Sequence, residues 1–166
     1  NLRRNVLFHD GTSFNSNAIK FTFDRFKKIG TMNYILGDKI KSIESPSKYK
    51  VIINLNKPSS SLNGILTSIN LTPISPTFYE NYKDKFLNDK FVGTGKYILQ
   101  RFSNEIQVID PNLNYWGDKP HNEGISFIGY SNSSSLFGAL KSKQIDVLLS
   151  NSIDDSQRNS LNNLTK

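Results

Sequence analysis

His9 and Asp10 are the first neighbouring side chains in the chain that could do chemistry together. An imidazole beside a carboxylate can move a proton. Their setting argues for a plainer role. His9-Asp10-Gly11-Thr12 has the composition of a turn, with glycine supplying a left-handed residue and the carboxylate bonding its own backbone. His121 is the only other histidine. Neither histidine has a second histidine or a carboxylate at metal-ligand spacing, so no metal is expected. Asp10-Gly11 lacks the alternating oxygen ligands of a calcium loop. Asp154-Asp155 reads as a surface pair. Gly93-Thr94-Gly95 lacks the spacing and the Lys-Ser/Thr ending of a nucleotide loop, and it reads as a tight turn that lets two backbones approach. No Gly-x-Ser-x-Gly elbow occurs. The chain has no cysteine, which excludes disulfides, thiolate metal sites and a cysteine nucleophile. The residues therefore favour binding over catalysis, with no cofactor.

The aromatics and the charge are weighed in the same way. Phe21, Phe23 and Phe26 at helical spacing suit a core better than a stacking platform for bases. Tyr115-Trp116 could form a ligand shelf or a plug between two substructures, and the plug is preferred. The 166 residues carry a net charge of +7 with pI near 9.5. The lysines and arginines are scattered, and the tightest groups are Arg3-Arg4 and Lys27-Lys28. A basic nucleic-acid-binding module is the alternative this charge raises, but such a module needs a clustered basic face. No apolar run reaches the roughly 18 residues of a membrane helix. The start has no signal-peptide pattern, and the chain reads as a piece of something longer.

These residues need elements to position them. Leu2–Phe8 alternates loosely, as a strand does. Asn15 or Ser16 can cap a helix whose Ala18, Ile19, Phe23 and Phe26 share one stripe, with Gly30 as its stop. Ile40–Glu44 and Tyr49–Leu55 read as strands, with Ser45-Pro46-Ser47 as the hairpin turn. A short helix follows the Ser59–Ser61 cap and runs to Leu66. Thr67–Ser75 is expected to be extended. Pro76 opens a helix to about Tyr82, and Asn81–Asp89 is a polar loop. Tyr97–Phe102, Ile106–Ile109, Ile125–Tyr130 and Ile145–Leu149 read as strands. Ser133–Lys141, capped by serine, and Ser152–Leu164 read as helices.

The motifs together resemble the family 5 extracellular solute-binding proteins of ABC importers, the oligopeptide-, dipeptide- and nickel-binding type. Phe8-His9-Asp10-Gly11-Thr12, followed by a helix to Asp24-Arg25, is similar to the family signature. Lys50–Leu66 keeps its proline and leucine at Pro58 and Leu62. Ile74-Ser75-Pro76, Val92-Gly93-Thr94-Gly95-x-Tyr97, Asn112-x-Asn114-Tyr115-Trp116-Gly117 and Ala139-Leu140-x-Ser142-x-x-Ile145-Asp146 follow in the family's order. Ser13, Lys96 and Leu113 stand where the family usually has proline, and Gln144 where Glu is common.

The resemblance implies an α+β fold: a small, largely antiparallel sheet with flanking helices, part of the first lobe of a two-lobe binding protein. Residues 1–150 would be a partial first lobe with the family's extra subdomain, and 151–166 a polar segment leading toward the second lobe. It also implies capture of a peptide or similar small solute outside the cytoplasmic membrane, delivery to an ABC permease, and no enzymatic step. His9, Asp10, Gly11, Gly93, Thr94, Gly95, Tyr97, Tyr115, Trp116 and Gly117 would be structural motif residues. Thr67–Thr72 would lie near the ligand cleft. Ser68, Asn70 and Thr72 are the uncharged candidates there, suited to a neutral or peptide-like ligand. Surfaces that would meet absent segments would leave apolar patches and invite self-association.

Overall fold

Asn15 starts the first helix. Its Oδ1 accepts the N–H groups of Asn17 at 2.9 Å and Ala18 at 3.3 Å, which satisfies two of the free donors at a helix N-terminus. The computed structural model describes residues 1–29, 39–82, 90–149 and 153–162. Helix α1 spans Ser16–Ile29. Its expected stop at Gly30 and the loop expected over 83–89 lie outside the described residues. Ala18, Thr22 and Phe23 are buried along one stripe. Lys20 and Asp24 pair at 2.7 Å on the exposed face, where such a contact adds little.

That stripe packs on a hairpin. β1 (Ile40–Ser47) pairs antiparallel with β2 (Lys50–Leu55), with Ile43 opposite Ile53. Phe23, Ile40 and Leu71 form the buried centre, ringed by Ile19, Phe26, Ile43, Ile53, Leu55 and Ile65. The turn falls at Lys48-Tyr49, not at Ser45-Pro46-Ser47 as the sequence suggested. Pro46 sits inside β1, where the register shifts between Glu44 and Ser47. A strand with a free edge tolerates proline at such an irregularity.

Leu2–Phe8 is not a strand. Its pairing is an isolated bridge between Leu7 and Ser13, and Asn5 at φ 58° breaks the extended run. Helix α2 is Leu62–Leu66. Within the stretch expected to be extended, Ile69–Leu71 winds into a 3-10 turn. The Ser68 hydroxyl accepts from Asn70 N there, a local bond of the kind that competes with extended structure. Helix α3, Pro76–Tyr79, continues as a 3-10 turn through Tyr82.

β3 (Tyr97–Phe102), β4 (Ile106–Pro111) and β5 (Ile125–Ile128) form a second sheet in that order. Ser103 closes the β3–β4 hairpin. Its hydroxyl donates to the Ile106 carbonyl and accepts from the Ile106 N–H, both at 3.1 Å. The Gly129 N–H donates to the Glu105 carbonyl, while Gly124 lies against Ile109 and Asp110, so β5 runs antiparallel to β4.

Helix α4 (Ser133–Lys141) is capped by Asn132 rather than by serine, its Oδ1 accepting from Ser135 N at 2.9 Å. Residues 145–149 are not a strand. Val147 and Leu149 are 71% and 80% exposed, and among the described residues no strand pairs with them. Helix α5 is Asp155–Asn162. Asp154 opens it in a reciprocal cap: Gln157 N donates to Asp154 Oδ1 and Asp154 N to Gln157 Oε1.

The chain groups into two units, one of Asn1–Phe102 with Val108–Ser126, the other of Ser103–Gln107 with Phe127–Lys166. Among the described residues no helix is long and apolar enough to cross a membrane.

Phe23 is 3% exposed at the centre of the first unit's core. Phe23→Ala should cost about 3–5 kcal/mol in urea unfolding, the usual range for a buried phenylalanine, while Ile69→Ala, at a side chain 85% exposed, should change stability by less than about 0.5 kcal/mol. Equal effects would show that this core has been placed wrongly.

Candidate functional site

Residues 90–96 carry a run of backbone carbonyls that no sheet ladder satisfies. Donors come to them from three other parts of the chain. Tyr79 OH donates to the Lys90 carbonyl at 2.9 Å, and its oxygen accepts the Val92 N–H. Ser75 N donates to Val92 O. His9 N donates to Gly93 O at 2.9 Å. Trp116 Nε1 donates to Thr94 O at 3.1 Å. Gly95 O receives both His9 Nε2 and Asn112 Nδ2, each at 3.0 Å, and Asn112 N donates to Lys96 O.

A carbonyl can only accept, so His9 carries its proton on Nε2. Its Nδ1 is buried with no hydrogen-bond partner among the described residues. The expected tight turn at Gly93-Thr94-Gly95 is instead an irregular stretch with a bend at Thr94 to Lys96. Neither glycine has a left-handed φ, and a Cβ on either would meet its neighbours at 3.7 Å or more. The segment matters for the carbonyls it presents.

The turn before α1 is as expected. Gly11 sits at φ 81°, Gly11 N donates to Phe8 O, and Phe8 N to Thr12 O. Asp10 is the joint of this turn. Its Oδ1 accepts Thr12 N at 3.0 Å and Thr12 Oγ1 at 2.6 Å, and its Oδ2 accepts the Ser75 hydroxyl. Ser75 is fully buried and also caps α3, accepting from Phe78 N. Burial alone would raise the Asp10 pKa, but the Ser75 and Thr12 donors outweigh it and hold the carboxyl below its ordinary 3.8. Burial pushes the Tyr79 phenol up against the opposing pull of the Val92 N–H and Arg25, so it stays a donor.

Asn112 Oδ1 accepts from Asn114 N at 3.0 Å, and Asn112 O accepts from Tyr115 N. Tyr115 and Trp116 lie with ring centres 4.9 Å apart. A Cβ on Gly117 would come within 2.9 Å of the Tyr115 ring, which explains a glycine after Tyr-Trp. Tyr97 OH reaches Asn122 Oδ1 at 2.7 Å.

The structure thus brings His9, Asp10, Gly93, Thr94, Gly95 and Trp116 into one network. Ser68 and Thr72 flank the 3-10 turn Ile69–Leu71 and Asn70 lies within it, with Asn70 and Thr72 exposed. Ser75, Asn112 and Tyr79 are the members that type and spacing missed. Ser75 had a legible signal, a serine directly before a proline that opens a helix. A cleft of about 630 Å³ beside the network is lined by His9, Asp10, Phe78, Phe91, Arg101 and Phe102 among others. Among the described residues no group of three or more His, Cys, Asp or Glu could hold a metal.

The sequence profile of the bacterial extracellular solute-binding proteins, family 5 (middle region), matches residues 1–166. The chain belongs to that family. Among the relatives of this family-5 chain is the probable D,D-dipeptide-binding periplasmic protein DdpA of Escherichia coli, 29% identical over 81% of this chain and 28% of its own length. The glutathione-binding protein GsiB of Shigella flexneri is 32% identical over 69% of this chain and 23% of its own. An ABC transporter substrate-binding protein of Sinorhizobium meliloti superposes with a TM-score of 0.85 at 23% identity, over 99% of this chain and 34% of that one. The α+β fold is accordingly part of a periplasmic-binding-protein fold. The chain spans about 30% or less of the length of the curated relatives it matches.

Ser75→Ala should destabilise the protein by about 1–3 kcal/mol, because Phe78 N and the Asp10 carboxylate both lose a partner. Asp10 supplies a pH signature. Its pKa is lowered by folding, so its contribution is whole above pH 3.8 and is lost as the pH falls through the lower folded value. The stability gap between the protein and Asp10→Asn should be open near neutrality and close in acid. Asp154 is lowered too, chiefly by the Gln157 backbone N–H, but it is present in both proteins and cancels in the difference. A gap that stays constant down the titration would remove Asp10 from its role as the joint.

Proposed function

We propose that this chain is part of the ligand-capturing component of an ABC importer, taking up peptides or similar small solutes outside the cytoplasmic membrane for a membrane permease. The observation that carries this reading is the family match along all 166 residues. It is supported by relatives named for dipeptide and glutathione binding, one of them periplasmic. Capture needs no covalent step. Two lobes close on the ligand, exclude water and order hydrogen bonds around it, and the ligand must bind the closed form better than the open one. Residues 1–150 would serve as a partial first lobe and 151–166 as the segment leading on from it.

Ser68, Asn70 and Thr72 are the proposed ligand contacts. Asn70 and Thr72 are exposed, and Ile69 between them is 85% exposed. Ser68 accepts a 3.4 Å bond from Asn70 N, which leaves its O–H to donate. An uncharged set of donors and acceptors suits amide groups better than it suits a bare carboxylate.

A part of one lobe cannot close. If a whole cleft binds at about 1 μM, half of its free energy corresponds to about 1 mM, and the entropy of association is not halved. In an NMR titration with di- to pentapeptides this chain should bind no tighter than about 1 mM. Weak saturable shifts should cluster at Thr67–Thr72. Shifts confined to other residues would dismiss the three contacts, and low-micromolar binding by this chain would overturn the shared-cleft reading.

A further inference from the structure

Arg3, Arg4, Lys48 and Trp116 are scattered in the sequence, but the fold gathers them. The Leu2 N–H donates to the Tyr49 carbonyl at 2.8 Å, laying the N-terminal segment against the β1–β2 hairpin tip. The Arg4 guanidinium then lies 5.4 Å from the centre of the Tyr49 ring, and Lys48 Nζ lies 5.5 Å from the same ring. From the neighbouring position in the chain the Arg3 guanidinium stacks 4.2 Å from the Trp116 ring centre. Three cations are thus held on two aromatic rings, all three on exposed residues.

Their charge is not spent inside the fold. The ion pairs seen among the described residues, Lys20–Asp24 and Arg158–Asp155, involve none of them. The carboxylate of the hairpin, Glu44, is engaged by Asn54 Nδ2 at 2.6 Å. Stacking occupies the flat face of a guanidinium and leaves its N–H edge pointing outward, a fork that fits phosphate oxygens in pairs. Tyr and Trp, with an apolar body and a polar tip, are suited to the headgroup depth of a bilayer.

We infer that this face, Arg3, Arg4 and Lys48 on Tyr49 and Trp116, docks reversibly on an anionic phospholipid surface. The complementary charge is the phosphodiester of the headgroup. The family is extracellular, and the outer face of the membrane presents such an array of phosphodiesters. A face with three cations and no apolar helix to insert gives weak, salt-sensitive adhesion. Such adhesion would hold a solute carrier near a membrane-borne partner without fixing it there.

The test is cosedimentation of the protein with phosphatidylcholine vesicles made with and without phosphatidylglycerol, at low and high salt. Binding is expected only to the anionic vesicles and should fade at high salt. Arg4→Gln with Lys48→Gln should weaken it roughly tenfold or more, since each cation near such a surface contributes about fivefold. Lys48→Gln alone, at the exposed hairpin tip, is the milder variant and should weaken it by about fivefold with the melting temperature unchanged. Lys141→Gln with Lys143→Gln, on exposed residues of the second unit, should leave binding as it was. Equal binding to pure phosphatidylcholine, or equal loss in the Lys141 and Lys143 variant, would overturn the inference. So would duplex DNA held as tightly as the vesicles and released by the same Arg4 and Lys48 substitutions, which would mark a general polyanion face.

Discussion

The first unit depends on a stretch of backbone that has no strand beside it. Residues 90–96 are irregular and bent, and their carbonyls are met by side chains and turns rather than by a neighbouring strand. Backbone acceptors in a partly buried segment must be matched, and here the matching is done by a histidine, a tryptophan, an asparagine, a tyrosine and three backbone N–H groups. Each bond nets only about 1 kcal/mol, but leaving one unmade strands an acceptor away from water at greater cost. That asymmetry accounts for the residue types. Histidine and tryptophan bring a rigid ring with an N–H at its edge, and asparagine can donate to one carbonyl while accepting from the loop that carries it.

Asp10 and Ser75 play the matching role for the helices. One carboxylate ties the turn before α1 to the residue that starts α3, and the serine it holds is itself the cap of α3. The direction of two helices is therefore fixed through a single hydroxyl. Thr22 adds a parallel tie, donating to Ala18 O within α1 and accepting the Ile74 N–H from outside it. The apolar contacts of Phe23, Ile40 and Leu71 supply the bulk of the burial, and these polar ties choose the one arrangement in which it occurs.

Local signals were the legible part of this sequence. The Asn15 cap, the stripe on α1, the Gly11 turn, the proline that opens α3 and the β3–β4 hairpin each depend on neighbours within a few residues, and each is where the residues predict it. The departures have local causes too. Asn5 breaks an extended run, Pro46 hides in an irregular strand, and Ser68 winds its own turn. What spacing could not show was pairing at a distance. His9 and Asp10 looked like a proton-moving pair or a turn, and nothing within ten residues says that one partner is Gly95 and the other Ser75. Residues 145–149 have the composition of a strand, but composition does not supply the neighbour a strand needs. The motifs quoted for the family resemblance contain both halves of these distant pairs.

The separation within those pairs has a consequence for how the chain acquires its shape. The His9 ring and the Gly95 carbonyl are 86 positions apart, and Asp10 and Ser75 are 65 apart. A ribosome delivers the His9 ring long before the Gly95 carbonyl it donates to, and the Asp10 carboxylate long before the Ser75 hydroxyl it accepts from, so neither tie can close until its later partner has emerged. Closing so long a loop costs entropy before any contact repays it, which slows the final step relative to helix formation. Until then α1, the hairpin and the local bonds of the signature turn can form on their own. The turn is tied to its distant partners only when Ser75 and then the Gly-Thr-Gly segment arrive.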